Sequence, residues 1–414
     1  MKNMGHRENT MGLAFNDPMH DEFGTWPVAY IPYGGADMGE ILAVGQAVGD
    51  GDDSAFHEAW MAAGERLVDE AVQTQRRGLH ASAKDLFLRA SVFYSASYHP
   101  LYGPQRDPRL LAAFRKQVDA FDKGLALSDL PVAPMRIPFE GTSMPAYLIP
   151  AVGREQETRP LVIFTNGYDG TVTDLYFASA VAASRRGYHC LIFDGPGQGE
   201  MLVEQRIYLR PDWETVIAAV VDVALGFNIV DPNRIVLSGW SLGGYLAPRA
   251  ASQEHRLAAC IADPGLWGMP GPFRALALKL GASPDTVTDL GNLDDKTLAQ
   301  FEQVISNDPG LRWKIYQRGF WTHGVDNLRD FLRSAEPFTM DGRAGAISCP
   351  VLMTLAEHDG LAAGTQTFFD QLQSPTKTLL RFSAAEGAGM HCEMRNRSLL
   401  NRRVFDWLDE VLFH

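Results

Sequence analysis

Apolar residues recur at three- and four-residue spacing through FHEAWMAAGERLVDEAVQTQRRG (56–78), HASAKDLFLRASVFYSASYHP (80–100) and PRLLAAFRKQVDAFDKGL (108–125). This spacing predicts helices up to about Leu130. At Met135 the period changes to two, and MRIPFEGTSMPAYLIP reads as a strand pair entering a sheet. From there short β-rich runs alternate with helical ones. LVIFTN is followed by a helix to about Arg186, YHCLIFD by a helix around Trp213 to Phe227, and RIVLSG by a further apolar helix. Such alternation predicts an α/β fold, a mostly parallel sheet with helices on both faces.

Two more sheet runs, LAACIAD ending at Asp263 and PVLMTLAEHD starting at Pro350, are separated by about 85 residues without sheet periodicity. Rich in Leu, Trp, Phe and Arg, this stretch is too long for an ordinary loop and is expected to be a helical insertion forming part of a lid. Gly and Pro around Gly265 to Pro272 suggest a hinge at its start. After Asp359 come a helix, the strand KTLLRFS, a Gly-rich loop and a final helix from about Asn396 to Phe413. The expected organisation is an N-terminal helical cap (1–130), a first core part (131–264), a helical insertion (265–340) and a second core part (341–414).

Composition narrows the function classes. The 414 residues are 46% hydrophobic, enough for a large core. Net charge is −13 and the basic residues are scattered, which argues against nucleic acid as a partner. The opening MKNMGHRENTMG lacks a leader-like apolar stretch, and the apolar run Val216 to Phe227 is too short to span a membrane. A cytoplasmic protein without membrane attachment is the default expectation, with a homodimer left open. Cys190, Cys260, Cys349 and Cys392 lie far apart and suit reduced, buried thiols. Metal-ligand spacings such as H-E-x-x-H are absent, so neither metal nor cofactor is expected.

The strongest chemical signal is RIVLSGWSLGGYL (234–246), in which a strand runs into Gly239-Trp240-Ser241-Leu242-Gly243 and then a helix. This is the pattern of a nucleophile elbow. The turn forces the serine into a strained conformation, and Gly239 and Gly243 remove Cβ atoms that would clash. A tight strand-to-helix turn without chemistry is the plainer reading. A serine hydroxyl needs a base and a group to hold that base. Asp359, at the carboxyl end of PVLMTLAEHD, and His391, after KTLLRFS and the loop AAEGAGM, supply them in the chain order Ser, Asp, His. Asp359 also reads as a helix N-cap and His391 as a surface loop residue. Glu357 is the reserve acid, and His358 reads as structural.

Backbone N–H groups of Leu242 and Tyr168 are the candidate oxyanion donors, the second from LVIFTNGYDGT, where Asn166-Gly167 also reads as a common turn. FDGPGQGE (193–200) lacks the spacing of a nucleotide loop and is expected beside the active site, held by Asp194. Tyr98, Trp240, Trp267, Phe320 and Trp321 are pocket-lining or core aromatics. Among them Trp240, inside the elbow, is the candidate substrate-binding residue. Asp169 is a candidate for polarising substrate hydroxyls, against a solvated turn carboxylate.

With these residues in place the chain resembles the α/β-hydrolase superfamily over its last 280 residues or so. FDGPGQGEM, GWSLGGY, LAACIADPG and EGAGMHCE resemble the group of 2,6-dihydroxypseudooxynicotine hydrolase and the polyketide-shortening hydrolases of fungal pigment pathways. SVFYSASYHP in the N-terminal helical segment adds to the likeness. The resemblance implies an active site capped by N-terminal helices and helical insertions. It implies Ser241 as nucleophile, Asp359 as acid and His391 as base. Some members cleave carbon–carbon bonds of aryl ketones or 1,3-diketones. Asn166 stands where many α/β-hydrolases have histidine. The expected function is a serine hydrolase acting through an acyl-enzyme on a small molecule, an acylated aromatic or polyketide-like compound, with hydrolysis of a carbon–carbon bond of an aryl ketone or 1,3-diketone as its sharper version. The alternatives are a carboxylesterase or acylaminoacyl-peptidase-like hydrolase with the same triad, and a non-catalytic binding or regulatory protein.

Overall fold

The computed structural model describes residues 12–413, so the leaderless reading of MKNMGHRENTM falls outside the described residues. Eight strands form one sheet: β1 (Pro134–Phe139), β2 (Thr142–Ile149), β3 (Arg159–Thr165), β4 (His189–Phe193), β5 (Val230–Trp240), β6 (Leu257–Asp263), β7 (Val351–Ala356) and β8 (Lys377–Phe382). Their spatial order is β1-β2-β4-β3-β5-β6-β7-β8. β2 pairs antiparallel with both β1 and β4, and all other neighbours run parallel. The sheet is thus the α/β arrangement that the alternating pattern predicted.

Side chains of successive strand residues enter different cores. Val162 and Phe164 of β3 join a cluster with the N-terminal helices, while Leu161 and Ile163 join the cluster on the other face. Burial on both faces explains why these strands read as continuous apolar runs rather than alternating ones. The first cluster takes in Trp60, Phe93 and Phe121 from helices Asp53–Arg76, His80–Ser97 and Pro108–Ala126, and Leu400 and Phe405 from the C-terminal helix Arg397–Phe413. Each such fully buried side chain contributes about 1.5–3 kcal/mol. The second is closed by helices Trp213–Ala224 and Gly243–Ala251. Ahead of the long helices lie Pro18–Gly24 and a 3-10 helix, Trp26–Tyr33, which the periodicity does not single out.

Between β6 and β7 the chain forms helices Pro270–Lys279, Asp295–Ser306 and Leu328–Ala335 around an apolar cluster of their own that includes Leu290, Phe301 and Leu332. A continuous helical stretch from Pro309 to His323 contains a π-helical turn, Trp313–Gly319. The two stems of this segment pair where Met269 N–H donates to Phe338 O and Met340 N–H to Trp267 O, both at 2.9 Å. Trp313 and Trp321 pack with Phe23, Tyr102 and Phe114, joining the segment to the N-terminal helices. All four cysteines are free and buried. Among the described residues no helix is long and apolar enough to cross a membrane.

Candidate active site

β5 ends at Trp240, and Ser241 follows at φ 58° in the left-handed region, a conformation that costs a non-glycine residue about 1–3 kcal/mol. The surroundings hold it there. Ser241 N–H donates to Asp263 O at the end of β6 (2.7 Å), and Gly244 N–H donates to Ser241 O (2.8 Å). Gly239 must be glycine for this turn to close, because a Cβ at that position would lie 1.8 Å from Gly243 O. The serine hydroxyl is thereby presented at the carboxyl end of the strand.

His391 reaches it from the loop after β8. His391 Nε2 lies 2.9 Å from Ser241 Oγ, and Nδ1 lies 2.7 Å from Asp359 Oδ2. The Asp359 side chain is 1% exposed, whereas that of His391 is 32% exposed and faces the pocket. Asp359 makes the contacts that both of its sequence readings require. While Oδ2 faces the imidazole, Oδ1 accepts the Leu361 N–H at 3.0 Å and caps the following turn. The reserve acid Glu357 is exposed and instead accepts the Ala384 N–H. His358 is exposed, and its backbone N–H donates to Gly389 O.

Gly167 packs directly on the elbow, since a Cβ there would lie 2.7 Å from Leu242 N and 2.8 Å from Ser241 Cβ. The loop carrying Tyr168 therefore abuts the turn carrying Leu242. Neither the Leu242 nor the Tyr168 backbone N–H has a backbone acceptor among the described loops and turns. Asn166 is fully buried, and neither side-chain polar atom has a hydrogen-bond partner among the described residues. Asp194 lies in the Gly-rich loop as expected, its Oδ2 accepting the Glu200 N–H at 3.2 Å. Burial pushes its carboxyl up to about 8.

Asp169 differs from its expected solvated state. Its side chain is 9% exposed and accepts a charge-assisted hydrogen bond from Arg318 Nη1 at 2.8 Å, while its carbonyl accepts from Tyr102 Oη. The Arg318 guanidinium also lies 4.5 Å from the Tyr168 ring centroid and 5.3 Å from that of Trp313. Beneath the elbow, Arg397 pairs with Asp263 at 2.5 Å, both nearly inaccessible, and donates to Cys392 O beside His391. Glu393 is buried against Asp263, and its carboxyl is pushed well up, first by burial and then by that neighbouring carboxylate.

Ser241 and His391 open onto a cavity of about 380 Å³. Trp240 and Asp169 line it, but Tyr98, Trp267, Phe320 and Trp321 do not. Phe23, Trp26, Lys314 and Arg318 line it as well, and the sequence reading missed all four. Arg318 lies in a π-helical turn and Trp26 in a 3-10 helix, elements whose periods leave no 3.6-residue signal.

Residues 162–397 match the Alpha/beta hydrolase family. The chain is similar to hydrolase LUC6 of a Fusarium species, 32% identical over 92% of this chain and 93% of the relative. It is 30% identical to 20-hydroxy-prefusarin hydrolase FUS2 of Gibberella moniliformis, again over 92% of this chain and 93% of the relative. Among solved structures, 2,6-dihydroxy-pseudo-oxynicotine hydrolase shares the fold with a TM-score of 0.72 at 21% identity, covering 93% of this chain and 95% of that one. With more than half of its residues matched by the family model and a relative 32% identical over 92% of its length, the chain belongs to the alpha/beta hydrolase family.

Proposed function

We propose that the protein is a serine hydrolase that forms an acyl-enzyme on Ser241 and acts on an acylated aromatic or polyketide-like compound. The observation that carries this reading is the hydrogen-bonded sequence Ser241, His391, Asp359, at 2.9 and 2.7 Å, opening onto a cavity of about 380 Å³. His391 Nε2 takes the hydroxyl proton as Ser241 Oγ attacks the substrate carbonyl carbon, and Asp359 stabilises the imidazolium. The Leu242 and Tyr168 N–H groups receive the oxyanion. Collapse of the tetrahedral adduct breaks the bond to the leaving group, which takes its proton from His391. Water, deprotonated by His391, then releases the acid and restores the serine.

The scissile bond in this proposal is the carbon–carbon bond of an aryl ketone or 1,3-diketone. Its leaving group is an enolate or electron-rich aryl carbanion that His391 protonates on carbon. Phe23, Trp26 and Trp240 in the cavity wall suit an aromatic or conjugated substrate. The relative named for 20-hydroxy-prefusarin supports a functionalised small molecule rather than a peptide. The test incubates the enzyme, beside Ser241→Ala, with an aromatic compound carrying both an ester and a 1,3-diketone side chain, and reads product masses. Ser241-dependent loss of the acyl fragment from the diketone is the expected result. Cleavage at the ester alone would make the protein an esterase, and turnover undiminished in Ser241→Ala would overturn the serine mechanism.

A further inference from the structure

The Gly167–Tyr168 peptide carries the second oxyanion donor of the proposed mechanism, and three contacts hold it. A trans peptide is a rigid plane, with its N–H and C=O pointing in opposite directions. At one end Gly167 lies flat on the elbow, close enough that a Cβ would meet Leu242 N at 2.7 Å. In the middle the Gly167 carbonyl accepts from Gln198 Nε2 at 3.2 Å. The same amide donates to Asn166 O at 2.7 Å, while its Oε1 accepts the Gly195 N–H at 3.1 Å. Gln198 is fully buried, with both ends of its carboxamide engaged. With the carbonyl turned towards Gln198, the N–H of the same plane must point away from it.

At the other end the Tyr168 side chain is anchored in the helical segment between β6 and β7. Tyr168 Oη lies 2.5 Å from His323 Nε2, and His323 Nδ1 lies 2.9 Å from Ser334 Oγ. The direction of these bonds follows from the last member. Ser334 donates its one hydroxyl proton to Phe331 O at 2.7 Å, so its oxygen accepts from Nδ1–H of His323. His323 Nε2 therefore carries the lone pair and accepts from the tyrosine hydroxyl. Burial and the nearby Arg318 charge push the imidazole down to about 3, which keeps it in this neutral form.

We infer that Gln198 and His323 are positioning residues that aim the Tyr168 N–H at the oxyanion, one by holding the carbonyl of its peptide plane and the other by holding the far side of its Cα. The inference rests on the acyl-enzyme reading above. It gives the FDGPGQGE loop a task, which is to supply Gln198. It also makes the site depend on the helical segment, because His323 comes from there and nothing within the sheet replaces it.

The test measures p-nitrophenyl butyrate hydrolysis and the affinity for an aryl trifluoromethyl ketone, whose serine adduct places an oxyanion in the hole. The variants are Gln198→Leu, His323→Phe and His323→Gln, with thermal unfolding followed in parallel. In Gln198→Leu and His323→Phe, kcat should fall about 10- to 100-fold with KM nearly unchanged, and the ketone should bind more weakly by a similar factor. His323→Gln, whose amide oxygen can accept from Tyr168, should recover most of the loss. If kcat falls while ketone affinity holds, or if His323→Gln is as impaired as His323→Phe, the inference is overturned. Turnover undiminished in Ser241→Ala would instead remove the acyl-enzyme reading itself.

Discussion

Asp359 serves His391 with one carboxylate oxygen and its own turn with the other, Oδ2 lying 2.7 Å from the imidazole and Oδ1 3.0 Å from Leu361 N. The two tasks separate by substitution. Asp359→Asn keeps an oxygen for the cap but offers an amide where His391 Nδ1–H needs an acceptor, so kcat should fall by about 10⁴-fold with little change in unfolding temperature. Asp359→Ala should lose the activity and, in addition, about 1 kcal/mol of stability from the missing cap. Steady-state kinetics and thermal unfolding of the pair decide it.

Asp194 predicts a pH signature. Its carboxyl is raised to about 8 by burial, and its Oδ1 has no partner among the described residues, which leaves room for the proton. Between the unfolded value near 4 and the folded one, the native state holds a proton that the unfolded state has released. The contribution of this group is therefore full below the unfolded pKa and is lost as pH rises through the folded pKa. Asp194→Asn removes that dependence. Relative to the parent, the variant should gain about 1 kcal/mol per pH unit over this window, read from denaturant unfolding at several pH values.

Arg397 and Glu393 should differ sharply although they occupy one buried network. Arg397→Met leaves the Asp263 carboxylate buried without its cation and should cost about 3–5 kcal/mol. It should also lower kcat, because the Asp263 carbonyl holds Ser241 N. Glu393→Gln keeps the polar shape of a carboxyl whose charged form burial and Asp263 disfavour, and should stay within about 1 kcal/mol of the parent. Equal losses in the two variants would contradict this asymmetry.

Trp26 lines the cavity, and its ring centroid lies 5.7 Å from that of Trp240. Trp26→Ala should raise KM several-fold with kcat largely kept, as expected when binding is lost equally from ground and transition states. A fall in kcat at unchanged KM would contradict this role.

The sequence pattern located Ser241, Asp359 and His391 because each follows the carboxyl end of a strand whose apolar run is continuous and whose turn residues are distinctive. That logic stops at residues defined by partners elsewhere in the chain. Asp169 in a Tyr-Asp-Gly turn reads as solvated until Arg318, 149 residues later, is folded against it. Trp26 and Arg318 were invisible for a second reason, the 3-10 and π periods of their segments. The reading of Asp359 as either acid or cap posed a choice that two carboxylate oxygens do not have to make.

The paired stems at Met269 and Phe338 bear on how the enzyme can change. A segment whose ends lie side by side can grow, shrink or be exchanged with little entropic penalty for closing the chain, and without disturbing the strands on either side. Substrate range and sheet stability are then separable traits. A replacement cassette grafted between those stems should fold with the core intact, and whether it supports fast turnover would hinge on its bringing an acceptor to the Tyr168 hydroxyl.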